Sequence, residues 1–443
     1  MSLGPHARGS TALAVAVMMG ACHGRARSAP TIDWKRANAE TAALLMVEKN
    51  GATKLVCLPG RAQARQLFPG VALGRILDVS WNGGPLVAGW AASSDGAETR
   101  SGGELVLLTA HDDPRRVAKD VRTARFSRDG AMLAYEVDIG QRPSGDAGSA
   151  PAATYVLDLA TGTVRELGAL VDPLWESDGK HLRATRLRTL GEEHRTPAVT
   201  WTSLRARWDR ESGTTTIDGR GSAQIPAPAG EAVAWTGNQR GTSGPNPCDV
   251  LLSRRGGVRH LAVGSLCRGI AYDRSMRWSP DGRWLAFPHP GPIPGQQERG
   301  GFFVDVVSVE GGRSPALAAL HDRTRPDQLA MATAPGMVWF DWSPSGRFLA
   351  MSDGANALRV YDFEAPGIAF LGQGQKPMWS PDGGYLLVLS AGQGPATTAV
   401  GPTENGKDVE TEAFVLPSVA PAARIPLGSV RDARWLPAQA CDR

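Results

Sequence analysis

Short apolar runs separated by turn-forming residues recur along this chain from about residue 40 to its end. The clearest case spans 277–287 and reads RWSPDGRWLAF. Pro280 presets the backbone for the second position of a turn, Asp281 can bond its own backbone, and Gly282 accepts the left-handed conformation that follows. Leu285, Ala286 and Phe287 form an apolar run without polar alternation, as expected of a strand buried on both faces. The stretch therefore predicts a strand, a tight turn and a second strand, with Trp278 packed against whatever lies above that sheet.

The pattern repeats. Trp342 opens WSPSG and Trp379 opens WSPDG, each followed by an apolar run. Phe126 opens FSRDG, Trp175 opens WESDG, and weaker copies begin at Trp81 and Trp235. A last copy at Trp435 is cut short by the C-terminus. The spacing runs from 37 to 64 residues, and seven of the 13 Trp residues occupy this one position. A period of roughly 40–50 residues with four strands per period predicts a β-propeller.

Upstream of the first copy, residues 43–47 (ALLMV) are apolar, Asn50-Gly51 is a hairpin signal, and 54–58 (KLVCL) is the returning strand. A third strand is expected within 63–68. These strands lack an opening strand of their own, and the copy at 431–437 has nothing after it. One C-terminal and three N-terminal strands would therefore complete a blade and close the ring. Eight four-stranded blades are expected, or seven if the Trp235 copy merges with its predecessor.

The pattern of Trp-Ser-Pro-Asp-Gly followed by Leu-Ala-Phe resembles the TolB-type β-propeller repeat, a relative of the WD repeat. The resemblance covers nearly the whole chain beyond residue 40. It implies architecture more than activity, since such propellers serve as scaffolds, peptidase gates and enzymes alike.

The N-terminal pattern differs. Residues 11–19 are a short apolar core, far below the roughly 20 residues that span a bilayer. They read as a signal peptide, and the following Gly20-Ala21-Cys22 resembles the bacterial lipobox. That resemblance implies a signal peptide over 1–21 and a lipid on Cys22. An ordinary secretory signal cut near Ala26 or Ala29 is the other reading. Residues 22–40 are expected to be a tether and 41–443 a single propeller domain.

Composition changes this picture little. Gly (53) and Pro (32) reflect many turns, and a net charge of +4 is too weak to argue nucleic acid. Four cysteines remain after Cys22, an even number in an exported chain. The local hairpin suggests Cys248 bonded to Cys267. The composite blade suggests Cys57 bonded to Cys441, provided that the tail 438–440 folds over the intervening strand.

No hydrolase elbow, phosphate loop or zinc-protease motif is present, so no catalytic residue, metal or cofactor is expected. The Asp residues of the repeat turns (Asp129, Asp178, Asp281, Asp382) read as turn chemistry. Two insertions are candidate binding loops. One is 288–301, with His289, Gln296, Gln297 and Arg299. The other is the Arg-rich run 181–210, with Arg186, Arg188 and Arg195.

The expected function is a non-catalytic, monomeric binding scaffold of the bacterial cell envelope. It would be periplasmic or at the outer membrane, held by its lipid, and would bind a protein or polysaccharide. TolB is such a periplasmic protein-binding propeller, but this chain lacks room for TolB's separate N-terminal domain. The alternative is an enzyme of lyase or lactonase type with its site in the propeller funnel. That would need polar ligands on the inner strands, which read as mostly apolar and aromatic.

Overall fold

The computed structural model describes residues 42–441 outside the segments 59–64, 83, 93–101, 110–111, 140–151, 177, 190–200, 221–224, 229–231, 238–247, 255–256, 265–275, 294–295, 311–327, 334–338, 353–355, 392–410 and 418–423. The described chain is all-β apart from one 3-10 turn, Ala438–Cys441. Its strands form antiparallel sheets in chain order. Four sheets have four strands and two have seven.

Each seven-stranded sheet is two four-stranded runs joined by one long strand. Arg115–Phe126 is the fourth strand of one run and the first of the next, and Ile425–Leu436 does the same. In the second case the next run is made of Ala42–Glu48, Thr53–Leu58 and Arg65–Gln66. The first long N-terminal strand thus pairs with the last C-terminal one, Leu44 opposite Trp435 and Val47 opposite Asp432. Four-stranded units are named below by the residue at their repeat position.

Alternation of side chains within each strand builds the core between units. In Ala42–Glu48, Ala42, Leu44 and Met46 pack toward the Trp379 unit, and Ala43, Leu45 and Val47 toward the Trp81 unit. In the Trp278 unit, Leu285 and Phe287 join the preceding unit, while Trp284 and Ala286 join the following one. This explains the unbroken apolar runs, because a strand whose two faces both meet neighbouring sheets has no polar face.

The repeat turn is built as its residues require. Gly282 has φ of 70° and donates its N–H to Ser279 O at 2.8 Å. The Ser279 hydroxyl accepts the Trp284 N–H at 2.9 Å and donates to Asp281 at 2.5 Å. Ser127 and Ser380 hold equivalent turns.

The repeat aromatics tie unit to unit. The indole N–H of Trp175 donates to Arg125 O, that of Trp342 to Arg277 O and that of Trp435 to Met378 O, at 2.9–3.2 Å. Each acceptor stands one residue before the repeat position of the preceding unit. Trp278 donates to Ile225 O at 2.8 Å, which marks Pro226 as the repeat position of its predecessor.

Trp235 is therefore not a repeat aromatic. It lies on the second strand, Val233–Gly237, opposite Leu251, and the first strand of that unit is Ile225–Pro226. Ala227 N–H donates to Ala232 O, as Ser279 N–H donates to Trp284 O. With proline in place of the aromatic, the copy lost its most visible residue.

A second correction concerns 288–301. Trp284–Ile293 and Gln296–Ser308 form one long hairpin with Pro288 opposite Val304, Pro290 opposite Phe302 and Pro292 opposite Gly300. The described residues of this segment are paired strand, not loop. Prolines at every second position withhold their N–H groups from one edge only. Among the described residues, the neighbour on the first-strand side, Arg277–Trp278, pairs only with Ala286 and Leu285.

Candidate functional site

The first strands of the units carry charges that hydrophobic patterning hides. They lie side by side, as their mutual hydrogen bonds show. Asp432 Oδ2 accepts the Ile76 N–H at 3.0 Å, Asp78 Oδ2 accepts the Phe126 N–H at 2.8 Å, and Asp341 Oδ2 accepts the Trp379 N–H at 3.0 Å. Three acidic residues thus bind the backbone of the next unit's first strand. Burial raises the pKa of Asp78, and it raises that of Asp341 to about 6 against the opposing pull of the Trp379 N–H and Arg277.

Basic residues of the same strands include Arg75, Arg125, Arg277, Lys376 and Arg434. Arg125 stands 3.9 Å from Asp78 and donates to Leu77 O at 3.2 Å. Arg434 donates to Asp432 at 2.9 Å. Arg277 is exposed, yet desolvation lowers its pKa, with Asp341 opposing. Lys376 is half-buried, and its pKa is also lowered, first by desolvation.

Backbone irregularity aims these side chains. Register shifts fall between Gln375 and Met378, between Val171 and Leu174, and between Ile76 and Asp78. Lys376 and Asp172, each followed by proline, have φ of 47° and 53°. A left-handed conformation is uncommon for such residues, and bulges re-aim side chains out of the strict alternation. The expectation of mostly apolar inner strands therefore fails. The signal was there in Asp-Pro and Lys-Pro, but strand parity could not show which way those residues point.

A second charged cluster lies on the Trp175 unit. Both ring nitrogens of His181 face carboxylates, Asp178 at 2.5 Å and Asp209 at 2.9 Å. Glu176 receives Arg183 at 2.8 Å and Arg207 at 2.7 Å, and Arg210 reaches Asp129 of the Phe126 unit at 3.1 Å. The Asp209 carboxyl is held below the usual range by the Ser212 N–H, with His181 adding to the effect. Glu176, Asp178 and His181 offer donor atoms within 4.8 Å of one another. They fit a divalent cation poorly, because two guanidinium groups already hold Glu176.

The other sequence candidates are dispersed. His289, Gln296, Gln297 and Arg299 lie on the long hairpin, and Arg186 and Arg188 on His181–Thr189 opposite Leu204 and Thr202. Cys57 and Cys441 are bonded, with α-carbons 5.8 Å apart. Ala43 lies between Leu436 and Cys57 in the sheet, and the turn Ala438–Cys441 carries the tail past it. Cys248 begins its strand opposite Gly264. Cys267, Arg195 and Cys22, with the signal and tether, lie outside the described residues.

No protein-family model and no curated protein matches the chain. Among solved structures it is similar to the eukaryotic initiation factor, at 12% identity over 90% of this chain and 98% of that one, with a TM-score of 0.49. It is similar to oligogalacturonate lyase in complex with manganese, at 13% identity over 80% and 94%, with a TM-score of 0.44. A third is the β-propeller domain of the Trilobed protease from Pyrococcus furiosus, described as having an open velcro topology. There the identity is 11% over 81% and 99%, with a TM-score of 0.42. These proteins differ in what they do, and no function passes from them to this chain.

Proposed function

We propose that the chain is an eight-bladed, TolB-type β-propeller acting as a non-catalytic binding scaffold, held at the bacterial envelope by a lipid on Cys22. The partner is an envelope protein or polysaccharide. Eight follows from reading each seven-stranded sheet as two blades. The pairing of Ala42–Glu48 with Ile425–Leu436 supports closure of the ring.

One observation carries the binding role. The first-strand carboxylates of Asp78, Asp341 and Asp432 are engaged by neighbouring backbone N–H groups. Acid groups used as staples hold the strands rigid, and among the described residues Arg75 and Lys376 rest on aromatic rings without an ion pair. Rigid lining with fixed charge suits recognition, because little conformational entropy is lost on binding.

The test is crosslinked capture from intact envelopes with the wild-type chain, with Cys22→Ser and with the double variant Arg75→Gln, Arg277→Gln. The proposal expects one partner with the wild type, less with Cys22→Ser, and none with the double variant. The same partner recovered equally with all three would refute it, as would turnover of a polysaccharide by the purified protein.

A further inference from the structure

We propose that Lys376, Arg75 and Arg434 form a site for a single anionic group, a carboxylate or phosphate borne by the ligand of this scaffold; the inference rests on the binding role above. Three neighbouring first strands bring them together. Arg434 Nη1 is 3.6 Å from Met378 Sδ, two residues beyond Lys376, and Trp435 donates to Met378 O at 2.9 Å. On the other side, Asp432 takes the Ile76 N–H, next to Arg75.

The charge balance of this group is uneven. Asp432 already serves Arg434, the Ile76 N–H and the Ala433 N–H, and Asp78, which Arg434 also reaches, is held by Arg125 and the Phe126 N–H. Lys376 has no ion pair among the described residues. Its ammonium lies 5.0 Å from the ring centre of Trp339, on the first strand of the preceding unit. Arg75 lies over Trp90 at 5.3 Å and likewise has no ion pair there. Both cations are held on aromatic faces, which fix a charge without neutralising it.

Lys376 is also set deliberately. It occupies the bulge between Gln375 and Met378 with φ of 47°, a conformation that lysine rarely adopts. The gathered cations repel one another, and desolvation together with Arg75 and Arg434 works against the charge on Lys376, with Asp432 opposing. An anion placed among these groups would relieve that repulsion and meet donors already in place. The guanidinium groups offer forked donors and the ammonium a point charge, a combination suited to carboxylate or phosphate oxygens.

Calorimetric titration of the purified protein with inorganic phosphate, and separately with succinate, tests the site at constant ionic strength in chloride. Saturable binding of either probe is expected, and the tighter one identifies the ligand's anionic group. Lys376→Met and Arg75→Gln should each weaken it at least tenfold. Arg210→Gln, which removes an equal charge paired with Asp129, should leave it unchanged. Binding no stronger than that of chloride, or equal binding by Lys376→Met, would overturn the site. Loss of anion binding with envelope capture intact would refute this site alone. Loss of capture with anion binding intact would refute the scaffold.

Discussion

Two charged regions of this molecule use the same residue types to opposite ends. Around His181, each charge discussed has a partner: His181 sits between Asp178 and Asp209, Glu176 holds Arg183 and Arg207, and Arg210 reaches Asp129. Around Lys376, Arg75 and Arg434, the carboxylates within reach, Asp432 and Asp78, are already in use. Removing one member of a satisfied network leaves the rest stranded, whereas removing one member of a crowd of like charges relieves it. The sign of a stability change therefore separates charges that hold the fold from charges available to a ligand.

The largest expected effect tests the frame that tolerates the crowded cations. The Cys57–Cys441 bond ties the unit carrying Arg434 across a sequence separation of 384. In the chain-entropy model a link of this span contributes about 6 kcal/mol. Cys441→Ser should lower the denaturant midpoint clearly under oxidising conditions and leave it unchanged relative to reduced wild type. An equal midpoint in oxidised wild type and variant would show that the frame does not depend on the bond.

Glu176→Gln comes next, at the paired region. It leaves Arg183 and Arg207 without their shared carboxylate, at a cost of about 2–3 kcal/mol, reduced by the exposure of Arg207. Thermal unfolding in low and high salt checks it, and a neutral result would erase the contrast between the regions.

Asp341→Asn gives a smaller, pH-dependent gain. The folded carboxyl has its pKa raised from 3.8 to about 6. Its contribution to stability is therefore fully present below about pH 3.8 and is lost as pH rises through about 6. Asparagine keeps an acceptor for the Trp379 N–H without the charge. The variant should match wild type near pH 3.8, gain on it up to about pH 6, and hold a lead on the order of 1 kcal/mol above that. Denaturant midpoints across this range decide it, and a pH-independent difference would contradict the assignment.

The unequal legibility of the fold and the site has a physical cause. The turns at Ser279-Pro280-Asp281-Gly282 and its relatives were readable because φ preferences and short-range side-chain bonds are local. The pairing of Ala42–Glu48 with the last strand was readable because each end of the chain held an incomplete set of strands. Pro226 hid its unit because it replaced the aromatic whose packing made the other copies visible. The hairpin through Pro288, Pro290 and Pro292 read as loop because the prolines' alternation mattered more than their number. The charges of the site were concealed for another reason. Lys376 and Asp172 sit at bulges, and a bulge breaks the period-2 rule by which a strand residue is assigned to a face.

The most direct measurement is the denaturant midpoint of Lys376→Met against wild type, at neutral pH in low salt without phosphate or carboxylate buffer. If Lys376 is an unpaired, desolvated cation held for a ligand, its removal should stabilise the fold by about 1 kcal/mol, and added phosphate should narrow that lead by stabilising wild type alone. A midpoint at or below that of wild type would contradict the account, because it would place Lys376 among the charges that hold the fold.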